Sequence, residues 1–343
     1  MNSIELENCS LTKLVCMILI VFYHSILFWS FNWFVGTPVF SFPLFKYISL
    51  WLNTFHIYTF VFVSGYLFYF NSYELNKYSG FSIYLKTRIK RLIIPYLFVS
   101  IFWVIPISCF FYKWNWRNIF ELFLLGVSPS QLWFLLMLFG VCIIFFILKK
   151  IFLNHLFWGI ILVLFSYCLS IYLNRFIKNY FQILSVLKFL PFYYMGFKVR
   201  QKSNCFFCRI PFFIYFILEL LLLLVYIICD SYLKDNARFI LKNFILFFLQ
   251  IVGTLMCFFT IQYISGRIKK IYENKIYIFL KKSTMTIYLY HQQLIYFPIF
   301  FLNGIIHPII HSMITFILSL VGSILISLVL HSRKELRMMI GDN

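Results

Sequence analysis

The sequence predicts an all-α integral membrane protein of about ten transmembrane helices, with both the N-terminus and the C-terminus in the cytoplasm. Three observations predict this fold class: a very apolar composition, a series of apolar runs near the length that spans a bilayer, and basic residues that concentrate in alternate loops. Together they exclude a water-soluble domain as the main body of the chain.

The composition requires a lipid environment. Of the 343 residues, 63% are hydrophobic, 12% are charged and 47 are phenylalanine, and the mean hydropathy is +0.90. An ordinary soluble domain is about 45–50% apolar and about 25% charged. A soluble protein of this size has too much surface to hide so many apolar side chains. Lipid must therefore cover much of the surface.

The apolar runs divide the chain into spans of about 20 residues, the length needed to cross a bilayer as a helix. The first run begins at Leu11 without a preceding basic segment or a small-residue cleavage site, so it predicts a retained helix and not a signal peptide. No internal repeat or separate soluble domain is apparent, so residues 1–343 are predicted to form a single transmembrane domain. The predicted helices lie near 11–33, 47–70, 92–112, 131–148, 156–173, 180–197, 211–229, 243–264, 283–302 and 311–331.

The basic residues orient these helices. The formal net charge of +20 arises from 30 Lys and Arg against 10 Asp and Glu, a balance that would suggest nucleic acid in a soluble protein. Here the basic residues lie in short loops, where they set topology and face anionic lipid. With a cytoplasmic N-terminus, the inside segments hold 20 Lys and Arg and the outside segments hold 9. We therefore expect membrane lipid as a partner, and no nucleic acid.

The cysteines predict neither a disulfide framework nor a metal site. Most of the nine lie in apolar runs, where cysteine acts as a small hydrophobe. Cys205 and Cys208 form a CxxC motif, but no second pair and no nearby histidine complete a zinc site.

Three predicted helices carry a histidine near the middle of the membrane: His24, His56 and His291. An ionisable group at this depth indicates a functional site by default, and a neutral histidine can accept a proton from an attacking hydroxyl. Taken singly, each ring is equally well explained as a hydrogen-bonded residue between helices. Glu219 is the one carboxylate well inside a predicted span, and it stays unassigned between a hydrogen-bonded carboxyl and a proton partner.

A basic layer is predicted at the cytoplasmic membrane face, formed by Lys13, Arg88 and Arg91. Lys13 and His24 share one face of the first helix, about 16 Å apart along its axis. Arginine and lysine bind phosphate, so this layer predicts a site for the phosphates of a cytosolic cofactor. The alternatives are a Lys13 that snorkels to lipid headgroups and arginines that follow the usual positive charge of cytoplasmic loops.

Six local motifs combine these polar residues with their neighbours, in order over residues 13–291. They are Lys13-x10-His24; Phe55-His56-x-x-x-Phe60-x-Phe62-x-Ser64-Gly65-Tyr66-Leu67; Arg88-x-x-Arg91-x-x-x-Pro95-Tyr96; Leu132-Trp133-Phe134-Leu135; Pro191-Phe192-Tyr193-Tyr194-Met195-Gly196; and Ser283-Thr284-Met285-Thr286-Ile287-Tyr288-Leu289-Tyr290-His291. Together they resemble the acyltransferase 3 family of integral membrane acyltransferases, especially the branch that O-acetylates surface polysaccharides. Lysine at position 13 replaces the commoner arginine.

The resemblance implies a bacterial enzyme of the cytoplasmic (inner or plasma) membrane that transfers acetyl from acetyl-CoA to a hydroxyl of a cell-surface glycan. It implies that His24 and Lys13 are catalytic and that Arg88 and Arg91 bind the donor. Whether His24 acts as a general base or carries the acyl group covalently stays open. The residues that could line the site are His56, Ser64, Trp133, Tyr288 and His291.

A transporter or flippase of a lipid-linked glycan is the competing interpretation. Such a protein would also be basic, aromatic and polytopic. Transporters tend to show internal repeats or interrupted helices in corresponding halves, and the sequence shows neither. An acyltransferase is therefore the preferred prediction.

Overall fold

The computed structural model describes residues 2–30, 36–202, 210–232 and 235–341. It is 86% helix, with no strand in these ranges. The CxxC motif at Cys205 and Cys208 lies outside the described residues. The helices are α1 (Asn2–Leu27), α2 (Pro43–Asn53), α3 (His56–Tyr69), α4 (Phe81–Arg88), α5 (Ile94–Val99), α6 (Ile105–Tyr112), α7 (Trp116–Ile119), α8 (Trp133–Asn154), α9 (Leu156–Leu173), α10 (Ile183–Gln201), α11 (Phe212–Tyr232), α12 (Asp235–Arg267), α13 (Lys275–Leu302), α14 (Pro308–His331) and α15 (Lys334–Met339).

Seven helical stretches of the described chain are long and apolar enough to cross a membrane. Three further predicted spans are helical but shorter or more polar, and they correspond to α2 with α3, to α10 and to α13. A count of about ten crossings and cytoplasmic termini therefore remain predictions. The seven candidate crossings are Ile4–Ser30, Phe81–Tyr112, Ser130–Asn154, Leu156–Leu173, Phe212–Asp230, Phe239–Arg267 and Pro308–His331.

The predicted span near 47–70 is interrupted. Thr54 and Phe55 separate α2 from α3, an interruption that the sequence analysis did not predict. The Thr54 hydroxyl lies 2.6 Å from the carbonyl oxygen of Trp51 and 2.6 Å from Oε1 of Glu219, which α11 contributes. A buried carboxyl of a distant helix thus hydrogen-bonds at the break, and α3 starts directly after it.

Helices α3 and α10 cross at two glycines. A Cβ atom on Gly65 would lie 1.9 Å from the carbonyl oxygen of Tyr193, and one on Gly196 would lie 1.9 Å from that of Phe62. Small residues allow backbones in membranes to approach this closely. The crossing holds α3, and with it His56 at its first position, against α10.

One end of the helix bundle, which we call the terminal face, carries the start of α1. Arg200 of α10 donates two hydrogen bonds of 2.7 and 2.5 Å to the Glu74 carboxylate and also pairs with Glu5. Lys281 of α13 pairs with Glu7 at 2.5 Å. These ion pairs tie the first residues of α1 to later helices.

The other end, which we call the opposite face, includes the segments around Val39, Glu121, Lys178 and Asn303. The backbone N–H of Val39 donates to Oδ1 of Asn303 at 3.2 Å. Lys178 pairs with Glu121. The two faces therefore lie at either end of the membrane-crossing helices.

Candidate functional site

Two of the three predicted histidines are in ring contact. The ring centroids of His24 on α1 and His291 on α13 are 5.3 Å apart, with planes tilted by 39°. Nδ1 of His291 lies 2.9 Å from the carbonyl oxygens of both Ile287 and Tyr288. Because carbonyl oxygens only accept hydrogen bonds, Nδ1 carries the proton of the neutral ring and Nε2 keeps a lone pair. Within the described part of the chain, this buried Nε2 has no hydrogen-bond partner, so it is placed to accept a proton.

His56 approaches this pair through Tyr23. The Tyr23 ring centroid is 4.9 Å from that of His56 and 5.0 Å from that of His24. Among the described residues, neither ring nitrogen of the buried His56 has a hydrogen bond of normal geometry, although the carbonyl of Leu52 is near the ring. Buried polar atoms without partners are uncommon, and a catalytic role is one established reason for them.

A polar network links α13 to the start of α8 beside His291. The Tyr288 hydroxyl donates to the backbone carbonyl of Gln131. Nε2 of Gln131 donates to the carbonyl of Leu289 at 2.8 Å and to Oε1 of Gln293 at 2.7 Å. Tyr288 therefore lies near His291, with ring centroids 6.3 Å apart, but its hydroxyl is already engaged.

Ser64 differs from the other predicted lining residues. Its hydroxyl donates to the carbonyl of Phe60 in its own helix at 2.9 Å. The described contacts therefore connect Ser64 to the backbone of α3 and not to the histidine rings.

Lys13, Arg88 and Arg91 come together at the terminal face. Both arginines lie close enough to Lys13 to repel its ammonium group. The Arg88 guanidinium donates to the Tyr78 hydroxyl at 2.8 Å and lies 4.7 Å from the ring centroid of Tyr84. The structure thus fixes the Arg88 guanidinium between two tyrosines and brings together three positive charges, its own included.

In the described residues, these three cations have no carboxylate partner, whereas Arg200 and Lys281 on the same face are paired with glutamates. The end of the chain covers this region, since a Cβ atom on Gly341 would lie 2.9 Å from the carbonyl oxygen of Arg91. Like charges gathered without counter-ions create a potential that attracts anions. Guanidinium and ammonium groups together suit a phosphate ligand.

A cavity of about 290 Å³ opens at the opposite face. Trp133 lies in its wall, as do Asn53 and Tyr58, which flank His56 in the sequence. The cavity therefore adjoins the helix break that carries His56. Its other lining residues are Ile57, Val127, Ser128, Gln182, Ser185, Lys188 and Phe189.

Residues 8–332 match the sequence model of the acyltransferase 3 family, which is described as an acyltransferase domain. The chain belongs to the acyltransferase 3 family. No curated protein and no solved structure gives a significant match. The family predicted from the six motifs is thus confirmed over nearly the whole chain.

In this acyltransferase, the motifs that carried the resemblance meet at Lys13 with Arg88 and Arg91 and in two further places. His24, His56 and His291 lie in one group of aromatic rings with Tyr23. Gly65 and Gly196 form the crossing of α3 and α10. The motifs therefore contain candidate chemistry and also the backbone contact that positions it.

Sequence reasoning missed several residues of this acyltransferase that the structure places near the site. Tyr23 lies within an apolar run, so nothing in the sequence distinguishes it from its neighbours. Gln131 and Gln293 come into contact only through the tertiary fold. A signal was available for Lys188, because it is an ionisable residue inside the predicted span 180–197.

Proposed function

We propose that this protein is a membrane O-acetyltransferase that moves an acetyl group from acetyl-CoA to a hydroxyl of a cell-surface glycan, such as capsule, O-antigen or another exopolysaccharide. The enzyme is proposed to lie in the cytoplasmic membrane. Family membership supports acyl transfer by a membrane protein. The observation that carries the specific proposal is the order of three features along the bundle: cations without a carboxylate partner among the described residues at one face, a buried histidine group, and a polar cavity at the other face.

The donor site is assigned to Lys13, Arg88 and Arg91. Coenzyme A carries its phosphates at one end and its thioester at the other. Eleven positions along α1 separate Lys13 from His24, a rise of about 16 Å. The flexible pantetheine arm can cover this distance, so phosphates at the terminal face place the thioester near the histidines.

Two routes of acyl transfer suit this arrangement. In the first, His24 accepts the proton of the glycan hydroxyl while the hydroxyl oxygen attacks the thioester carbonyl. The C–S bond then breaks and the thiolate of coenzyme A leaves. The imidazolium returns the proton to the leaving thiolate. In the second, a histidine nitrogen attacks the thioester carbonyl and displaces the thiolate of coenzyme A. The glycan hydroxyl then attacks the acyl-histidine, the C–N bond breaks, and the histidine nitrogen takes the hydroxyl proton. Both routes release coenzyme A and a glycan ester.

The test is NMR of surface polysaccharide from a deletion strain complemented with wild type or with His24→Ala. Wild type should restore O-acetyl signals. His24→Ala should reduce them below detection, because general acid–base catalysis usually contributes about 10²–10⁴-fold to the rate.

His155→Ala is the matched control, because His155 is exposed in the turn between α8 and α9. It should leave acetylation unchanged, and all variants should reach the membrane in equal amounts. Acetyl content that persists with His24→Ala would contradict the proposal and favour transport of a glycan. Deletion that removes the glycan itself from the surface would also favour transport.

A further inference from the structure

A second cavity, of about 260 Å³, adjoins the first on the opposite face. Ser185 and Lys188 lie in the walls of both. We call the two together the polar groove. The first half contains Trp133 and Asn53, and the second half contains Arg175.

The lining of the polar groove suits a sugar chain. Amide side chains recur along it, including Asn53, Gln182 and Asn243, and these can donate to and accept from sugar hydroxyls. Trp133 and Phe239 add flat apolar surfaces of the kind that cover the C–H faces of sugar rings. Among the described residues, no aspartate or glutamate lines either half.

The charge of the groove is positive, and no carboxylate of the described residues pairs with it. Lys188 lies where the two halves meet, and within the part of the chain that is described it forms no ion pair. Arg175 lies 3.9 Å from the ring centroid of Phe239, stacked on the groove wall. An ammonium group in a membrane-embedded helix is costly to keep without a partner, so a ligand anion is a reason to retain it.

Two lysines near the polar groove, unlike Lys188, are paired with carboxylates. Lys178 pairs with Glu121, and this hydrogen bond raises the pKa of Lys178. Lys242, next to a groove residue in the sequence, pairs with Asp230 at 2.7 Å. Neither lysine lines the groove. Two cations beside the groove are thus paired with carboxylates, whereas Lys188 and Arg175 inside it have no such partner in the ranges that the structure describes.

We infer that the acceptor is an acidic glycan, whose sugar carboxylate binds Lys188 while a nearby sugar hydroxyl lies in the half of the groove that adjoins His56. This inference rests on the proposed function and names its substrate class. Lys188 brings one ammonium group to the point where the two halves meet, whereas the Arg175 guanidinium is stacked on Phe239. One ammonium flanked by amides suits a sugar carboxylate, whereas a phosphate site would favour converging arginine forks. The bound carboxylate positions the glycan so that one of its hydroxyls faces the histidines.

The test uses purified full-length protein in lipid nanodiscs and the unacetylated polysaccharide of the deletion strain. One portion of the polymer stays native, and in another carbodiimide and borohydride convert the carboxylates into neutral alcohols. Transfer of radiolabelled acetyl from acetyl-CoA and direct binding of each polymer are measured separately. For wild type, carboxyl reduction should lower kcat/KM and binding about tenfold or more, as expected for a lost charge-assisted hydrogen bond.

Lys188→Gln should lower kcat/KM for the native polymer by a similar factor and leave the value for the reduced polymer unchanged. Lys188→Arg should recover much of the loss, which separates the charge from a folding defect. Lys178→Gln, outside the groove, should change nothing.

A polymer without acidic sugars, equal use of both polymers by wild type, or an equal loss on both with Lys188→Gln would overturn the inference. Charge-dependent binding without acetyl transfer would instead support an acidic glycan as the ligand and contradict the proposed acyltransferase function.

Discussion

The proposed donor site combines residues of different chemistry. Arg88 presents a planar fork held between Tyr78 and Tyr84, so its donors point in a fixed direction. Lys13 presents a compact charge on a flexible stem, next to two guanidinium groups that repel it. An arriving phosphate relieves that repulsion. Lys13 is therefore expected to contribute affinity for the donor through its charge and not through a directed fork.

Replacement of Lys13 by glutamine should raise the KM for acetyl-CoA about tenfold or more, since hydrogen bonds to charged groups contribute roughly 1.5–3 kcal/mol. Lys13→Arg should keep most of the affinity because the charge stays in place. Steady-state acetyl transfer by purified protein is the measurement. Lys150→Gln, an exposed lysine near the end of α8, is the control. A lower kcat with an unchanged KM would place Lys13 in the chemical step instead.

At the scale of helices, the break between α2 and α3 and the glycine crossing serve the same purpose. The break starts α3 at His56, so this histidine lies beside the cavity of the opposite face. The crossing then fixes α3 against α10, whose Lys188 lines the same cavity. The histidine and the groove are therefore positioned by one pair of helices.

Gly65→Ala and Gly196→Ala should each destabilise the protein by about 1–3 kcal/mol or more, the usual effect of overpacking. The new methyl group would lie 1.9 Å from a backbone carbonyl oxygen, which cannot move as a side chain can. Thermal unfolding in detergent micelles, followed by size-exclusion chromatography, is the measurement.

Gly266→Ala is the matched control for these substitutions. A Cβ atom at Gly266 meets nothing within 4 Å, so the melting temperature should stay the same or rise slightly. Wild-type stability of Gly65→Ala would mean that the two helices are farther apart than described.

Element-scale features differ in how well the sequence predicts them. The long apolar helices α8 and α9 follow from hydropathy alone, and counting residues from helix ends placed three histidines at a common depth. The break at Thr54 was not predictable because no proline or glycine marks it, and its partner Glu219 lies 165 positions away. The polar groove was missed for the same reason, since its two halves draw on helices far apart in the sequence.

At the scale of the whole molecule, the two ends of the bundle differ in chemistry. The terminal face holds the cation group of Lys13, Arg88 and Arg91, and the opposite face holds the polar groove. An anionic donor and a glycan acceptor would then approach from opposite sides. The buried histidine rings lie on helices that connect the two ends. Transfer across the membrane thus requires the terminal face to be the cytoplasmic one, since acetyl-CoA is made in the cytosol.

This orientation is testable in the full-length protein. Green fluorescent protein fused to the C-terminus should fluoresce if that end is cytoplasmic, as the excess of basic residues in the predicted inside loops indicates. An epitope tag inserted after Ile305, in the exposed loop between α13 and α14 and outside the polar groove, should bind antibody on spheroplasts that have not been permeabilised. The same tag at the C-terminus should bind antibody only after permeabilisation. All three tagged proteins should retain acetylation in the complemented strain, which shows that they are folded. If the loop tag were reached only after permeabilisation, the cation group would face away from the cytosol, and the donor would have to bind elsewhere.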